Sequence, residues 1–203
     1  MGTPICVGIT GASGAVYAVR LLEVLIASGL DVHLSISPSG REVIGQELGL
    51  NIDLDRFETA DLLGHPNEDS GQRGRLNYYP CGDFLAPMAS GSFLTRGMVI
   101  CPCSGTTLSA IAAGASGNLI QRAAEVHLKE RRRLVLVPRE TPLSLTHIDN
   151  MRRVTEAGAT VLPASPGWYH GANSLDDLVD FIVGRICDQL EIENNCITRW
   201  GSP

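Results

Sequence analysis

The chain has 203 residues, 44% of them hydrophobic and 19% charged, with a formal net charge of −6 and a pI near 5.3. That length suits one domain with a sizeable core, and the acidic balance argues against nucleic acid, whose phosphates need a basic surface. No apolar run reaches the roughly eighteen residues that span a bilayer, and the chain enters a strand without the charged stretch of a secretory leader, so a soluble, cytoplasmic protein with small-molecule or protein partners is expected.

Ile5–Ile9 reads as the first strand and runs straight into Thr10-Gly11-Ala12-Ser13-Gly14. A strand, small residues and then an apolar helix is how a backbone cradle for phosphate is written. In that helix, Ala15 to Ala27, a stripe of Val16, Val19, Leu22, Val24, Leu25 and Ile26 predicts packing on a sheet, and Ser28-Gly29 ends it. Val32–Ile36 is the second strand and Arg41–Leu48 a short helix. From about Asn51 to Gly97 turn formers dominate, as in His65-Pro66-Asn67-Glu68-Asp69-Ser70-Gly71, and so long an irregular segment implies function or an interface. Met98–Cys101 is the third strand, Leu108–Ala113 a short helix, and Asn118–Arg132 a longer one whose basic end suits its dipole. Leu134–Val137 and Thr160–Leu162 are further strands, and a last helix begins at Ser174, where Asp177 completes a capping box. Strands alternating with helices predict an α/β fold, Rossmann-like or flavodoxin-like: a doubly wound parallel sheet in three α/β/α layers, as a single domain over residues 1–203.

Arg139-Glu140-Thr141-Pro142-Leu143 follows the apolar run Leu134–Val137, which puts a cation and a carboxylate at a strand's C-terminal end, where open sheets bind ligands. Gly8-x-x-Gly11-x-x-Gly14 resembles a dinucleotide fingerprint. However, the second strand ends in Ser37-Pro38-Ser39 rather than in the acid that binds a nicotinamide cofactor's ribose, and a hydroxyl there suits the phosphate of flavin mononucleotide better. Pro102-Cys103-Ser104-Gly105-Thr106-Thr107 carries more hydroxyls than one helix cap needs, so this loop also faces the crevice. Arg122 and Lys129 lie seven apart on one helix face. Arg122 is the better ligand candidate, whereas Arg131 to Arg133 read as solvated charge. The six cysteines are scattered and read as reduced, buried thiols, and Cys101-x-Cys103 has the wrong spacing for a metal or redox pair. None of the five histidines forms an i,i+4 pair, so none is given a ligand role and no metal is expected. Asp176-Asp177-Leu178-Val179-Asp180 matches the magnesium motif of all-helical diphosphate synthases only by coincidence, since the capping box explains its first two acids.

These residues, together with Ser90-Gly91-Ser92, Leu128-Lys129-Glu130-Arg131-Arg132, Asn150-Met151, Trp168-Tyr169-His170 and Arg199-Trp200, resemble the UbiX family of flavin prenyltransferases over nearly the whole chain. The resemblance implies transfer of a dimethylallyl group from dimethylallyl monophosphate to N5 and C6 of reduced FMN, without a metal. The product, prenylated FMN, would serve UbiD-type decarboxylases. On the same ground Gly11, Ala12, Ser13, Ser37, Ser104, Gly105, Thr106, Thr107 and Arg122 are expected at FMN. Ser90, Gly91, Lys129, Arg139, Glu140, Tyr169 and Arg185 are expected around the prenyl phosphate, and a dodecamer is expected to share these sites between subunits. Glu140 would assist phosphate departure, Glu47 would take the proton lost from C6, and Ser13 is counted with them. Tyr169 and Trp200 would wall the allylic cation.

Two alternatives stay open on the residues. An FMN-dependent cysteine decarboxylase of the same superfamily would carry Pro-x-Met-Asn, which this chain lacks. A non-catalytic FMN-binding subunit would leave Lys129, Arg139, Glu140 and Arg185 without a purpose.

Overall fold

The computed structural model describes residues 3–66, 74–168 and 171–197. Six strands, β1 (Ile5–Ile9), β2 (Val32–Ile36), β3 (Leu76–Tyr78), β4 (Gly97–Cys103), β5 (Leu134–Pro138) and β6 (Thr160–Val161), form one parallel sheet in the order β3-β2-β1-β4-β5-β6. The helices are α1 (Ala15–Ala27), α2 (Pro38–Leu48), α3 (Thr59–Leu63), α4 (Gly105–Ala112), α5 (Leu119–Lys129), α6 (Leu145–Glu156) and α7 (Leu175–Gln189).

Alternation along each strand sorts the core into two layers. Ile5, Val7 and Ile9, with Val99, Val135 and Val137, meet α1, α2 and α7 on one face, whereas Cys6, Met98, Ile100, Leu134 and Leu136 meet α4, α5 and α6 on the other. Being buried on both faces, β1, β4 and β5 read as near-continuous apolar runs, which is why the sequence marks them, whereas β2, equally buried, alternates Val32, Leu34 and Ile36 with His33 and Ser35. From β1 the chain winds outward through β2 to β3, and from β4 through β5 to β6. Right-handed crossovers therefore place the two helix layers on opposite faces.

The expected sheet and helices are present, with differences that have physical causes. β3 lies inside the segment read as irregular; it is three residues long, only Leu76 is buried, and pairing with β2 defines it. α2 begins at Pro38 rather than Arg41, because Ser37 caps it by accepting the Gly40 N–H and proline suits a first helical position. Val16 leaves the predicted stripe and is 38% exposed, since Ala15, Ala18, Leu21, Leu22, Leu25 and Ile26 make the buried face of α1. α6, mostly polar, is not singled out by periodicity; Ser144 and His147 close a capping box at its start.

All six cysteines are free. A bulge between Ile100 and Cys103 leaves Cys101 in one core layer and Cys103 in the other, so the two thiols cannot share an ion. Burial pushes Cys6, Cys103 and Cys187 each up to about 12, and such thiols are not nucleophiles. Among the described residues no helix is long and apolar enough to cross a membrane, and no group of three or more His, Cys, Asp or Glu could hold a metal ion.

Candidate active site

The strand order reverses between β1 and β4, and ligands of open α/β sheets bind outside the carboxyl ends at that point. Thr10 laces the two strand ends together: its hydroxyl donates to Pro102 O at 2.8 Å and accepts the Ser104 N–H at 2.8 Å. Gly11 passes so close to the start of α2 that a Cβ would lie 2.5 Å from Ser39 Cβ. Gly14, with φ 115°, then turns the chain into α1 in a conformation that favours glycine.

The cradle expected at this turn is filled from within the chain. Glu47, near the end of α2, accepts the Gly14 N–H at 2.9 Å and the Ala15 N–H at 2.8 Å. Its burial opposes ionisation, but hydrogen bonds from Ser13, Gly14 and Ala15 and the charge of Arg139 together hold the carboxyl below its usual range. At the start of α4, Ser104 accepts the Thr107 N–H at 3.2 Å and donates its hydroxyl to Thr107 Oγ1 at 3.0 Å. The Ser37 and Ser104 side chains are thus helix caps as well as crevice hydroxyls.

At the end of β5, Arg139 Nε donates to Ser13 O at 3.4 Å, which links the third strand end to the first. Glu140, next along, stands where an open groove of about 730 Å³ meets a smaller cavity of about 240 Å³. Gly11, Ser104, Gly105, Thr106, His147 and Asn150 also line the groove, and Arg139, Met151 and Ser165 also line the cavity. One chain therefore gathers the Gly11–Ser13 loop, Ser37, the Ser104–Thr107 loop, Glu47, Arg139 and Glu140 along the strand ends.

Four other predicted residues lie together on a different surface. Ser90 and Gly91 run alongside α5, where Lys129 pairs with Glu130 at 2.5 Å and a Cβ on Gly91 would meet Lys129 Nζ at 2.9 Å. Arg122 donates to Ala89 O at 3.1 Å and pairs with Glu125 at 2.6 Å. Lys129 is the last residue of α5, just before β5 begins, and Arg139 follows the end of β5; the five strand residues between them separate the two by about 16 Å of sheet. Arg185, on the far half of α7, pairs with Asp188 at 2.9 Å. Tyr169 and Trp200 lie outside the described residues.

Sequence reasoning gave no site role to four groups that the structure brings forward. Arg132, read as solvated charge, instead donates to Phe93 O at 2.7 Å and to Gly91 O, and so clamps the loop beside Lys129. Thr10 is the lace just described, and its place at the end of an apolar strand was its only signal. His147 accepts the Ser144 N–H on Nδ1 at 3.2 Å, which leaves Nε2 as the N–H-bearing nitrogen of the neutral ring, facing Gly105. Asn150 is 8% exposed, opens onto the groove, and has no side-chain hydrogen-bond partner among the described residues.

Fold and crevice together define a Rossmann-like nucleotide-binding protein whose ligand lies at the switch point of the sheet. The Flavoprotein family model matches residues 1–187. Over 195 residues the chain is 49% identical to the flavin prenyltransferase UbiX of Halalkalibacterium halodurans, covering 96% of this chain and 92% of that one. The crystal structure of AnUbiX (PadA1) in complex with FMN and dimethylallyl pyrophosphate superposes with a TM-score of 0.86 at 37% identity, over 100% of this chain and 99% of that one. A dodecameric FMN-dependent UbiX-like decarboxylase from Escherichia coli O157:H7 superposes with a TM-score of 0.82 at 34% identity, over 98% and 100%. The chain belongs to the UbiX family of flavin prenyltransferases.

Proposed function

We propose that this protein transfers a dimethylallyl group from dimethylallyl monophosphate to N5 and C6 of reduced FMN, and that the prenylated FMN passes to a UbiD-type decarboxylase. One observation carries the reading: Arg139 and Glu140 stand at the end of β5 over Ser13 and Glu47, beside a groove with the hydroxyls and helix start that suit a flavin nucleotide. Asn150 on the groove wall, with no side-chain partner among the described residues, adds a further polar group to that lining.

When bound, reduced FMN supplies the nucleophilic N5 and C6. The residues of this chain do the rest. Arg139 offers fixed positive charge to the phosphate that departs with the electron pair of the allylic C–O bond. Glu140, at the mouth of both cavities, is the group for handling the phosphate proton, and Glu47 accepts the proton released from C6. A carboxylate held ionised by amides and Arg139 stays available as acceptor at neutral pH, although its lowered pKa makes it a weaker base. A monophosphate is met by side-chain cations alone, so no metal is assigned.

Lys129, Ser90, Gly91 and Arg122 do not line the groove or the cavity. We assign them to the crevice of a neighbouring copy in a homo-oligomer, a dodecamer as in the E. coli relative. Tyr169, Trp200 and Arg185 are assigned to the prenyl pocket on the resemblance. Buried free thiols suit a reducing, cytoplasmic setting.

The test is anaerobic incubation with reduced FMN, dimethylallyl monophosphate and EDTA, followed by the mass of the extracted flavin. A gain of one C5H8 unit is expected. Unchanged FMN, with flavin shown to be bound and reduced, would overturn the reading.

A further inference from the structure

The wall that α6 gives the groove holds a group for which the mechanism above has no use. Asn150 is more than nine-tenths buried, its carboxamide opens onto the groove, and no described residue bonds to it. A groove-facing amide with no partner among the described residues exchanges its hydrogen bonds with whatever fills the groove, so it marks a place where a polar ligand atom can be held. One turn earlier on the same helix, His147 has its Nδ1 occupied by the Ser144 N–H and presents Nε2–H beside Gly105.

The chemistry of this pair selects what it would hold. A carboxamide offers donor and acceptor side by side, and the acceptor oxygen needs an N–H or O–H partner. A phosphate dianion has none to give, and the nearby carboxylate of Glu140 disfavours a second anion. Phosphate oxygens are instead matched by the hydroxyls and amides at the start of α4. An adjacent carbonyl and N–H, as on the imide edge of a flavin ring, would satisfy both ends of the carboxamide, with His147 Nε2–H left for a further carbonyl. The geometry points to Asn150 as a flavin-ring ligand, a binding residue that sets affinity through the ring and not through the phosphate. This rests on the flavin reading above.

The test compares FMN with riboflavin, which has the ring and no phosphate, on the full chain and on Asn150→Ala. Removing the carboxamide is expected to weaken both flavins alike, by about five- to thirty-fold. The melting temperature of the flavin-free protein should change little, because the carboxamide has no bond to a described residue to lose. Loss for FMN with riboflavin unchanged would put Asn150 on the phosphate and overturn the inference, as would unchanged affinity for both. If Asn150→Ala fails to fold, the isosteric Asn150→Asp replaces it; loss of its amide donors and a new charge beside ring carbonyls should again weaken both flavins. Unmodified protein that binds no FMN would overturn the flavin reading itself, a result the variants cannot mimic.

Discussion

The crevice at the ends of β1, β4 and β5 and the loop of Ser90 to Ser92 are held in opposite ways. In the crevice, backbone and short side chains bind one another across strand ends: Thr10 to Pro102 and Ser104, Glu47 to Gly14 and Ala15, Arg139 to Ser13. The loop is instead held by guanidinium groups, by Arg122 of α5 at Ala89 and by Arg132, just past that helix, at Gly91 and Phe93. A crevice braced by a sheet can receive a ligand without reorganising. Beside that loop Lys129 closes α5, partly exposed and paired with Glu130. In the proposed assembly the crevice would receive the ligand, and the Lys129 surface would be inserted by a neighbouring copy.

The largest expected effect breaks that division on purpose. Arg139→Ala in the crevice and Lys129→Ala on the loop surface should each lower kcat by about 100- to 1,000-fold, with flavin affinity changed less than about tenfold. Subunits of the two variants, dissociated and reassembled together, should regain about a quarter of the unmodified rate, since random assembly pairs an intact crevice with an intact loop about one time in four. No recovery would show that both groups serve one chain's own site.

Acid should separate the regions next. His127 backs the loop, donating Nδ1–H to Ala123 O at 2.7 Å and meeting the Thr95 hydroxyl at 2.7 Å. Burial, reinforced by the Arg132 charge and only partly offset by the bond to Ala123, lowers its pKa to about 4. The unfolded chain takes up this proton near pH 6.5 and the folded chain does not, so stability falls as pH drops from about 6.5 to about 4, by up to about 3 kcal/mol. Glu47, also lowered, keeps its contribution at every pH above its unfolded value and loses it only as pH falls through its folded one. Urea midpoints at pH 7.5 and 5 should therefore differ in the unmodified protein and converge in His127→Gln, while Glu47→Gln should leave that difference intact.

Smaller effects sharpen the comparison. Arg132→Ala should raise KM for the prenyl phosphate about tenfold with flavin affinity unchanged, because two carbonyls of the loop lose a charged donor. Glu47→Gln should cost about 1 kcal/mol of stability as a weakened cap of α1 and slow turnover as well. Arg152→Ala, which removes an exposed pair with Glu156 on α6 away from both regions, should change the urea midpoint by less than about 0.5 kcal/mol.

The crevice was far more legible in the sequence than the loop. Apolar runs buried on both faces announce β1, β4 and β5, the alternating Val32, Leu34 and Ile36 announce β2, and the residues just beyond each strand are by construction the crevice: Gly11 to Ser13, Ser37, Ser104 to Thr107, Arg139 and Glu140. Nothing comparable marks the loop. Arg132 looks like its neighbours Arg131 and Arg133, and only the fold gives it two carbonyls to hold. β3 is equally silent, since a three-residue strand is defined by its partner. Asn150 was visible only as part of the resemblance, because a polar residue on a polar helix carries no period and its burial comes from α4 packing against α6.

Glu47 also bears on what the protein refuses. Dinucleotide-binding domains seat a pyrophosphate on the amides that open the first helix, where the helix dipole favours negative charge. Here a carboxylate of the protein already holds those amides, so an NAD or FAD diphosphate approaching the same point would meet both occupied donors and like charge. The glycine-rich turn therefore offers a dinucleotide's pyrophosphate no free pair of amides at Gly14 and Ala15.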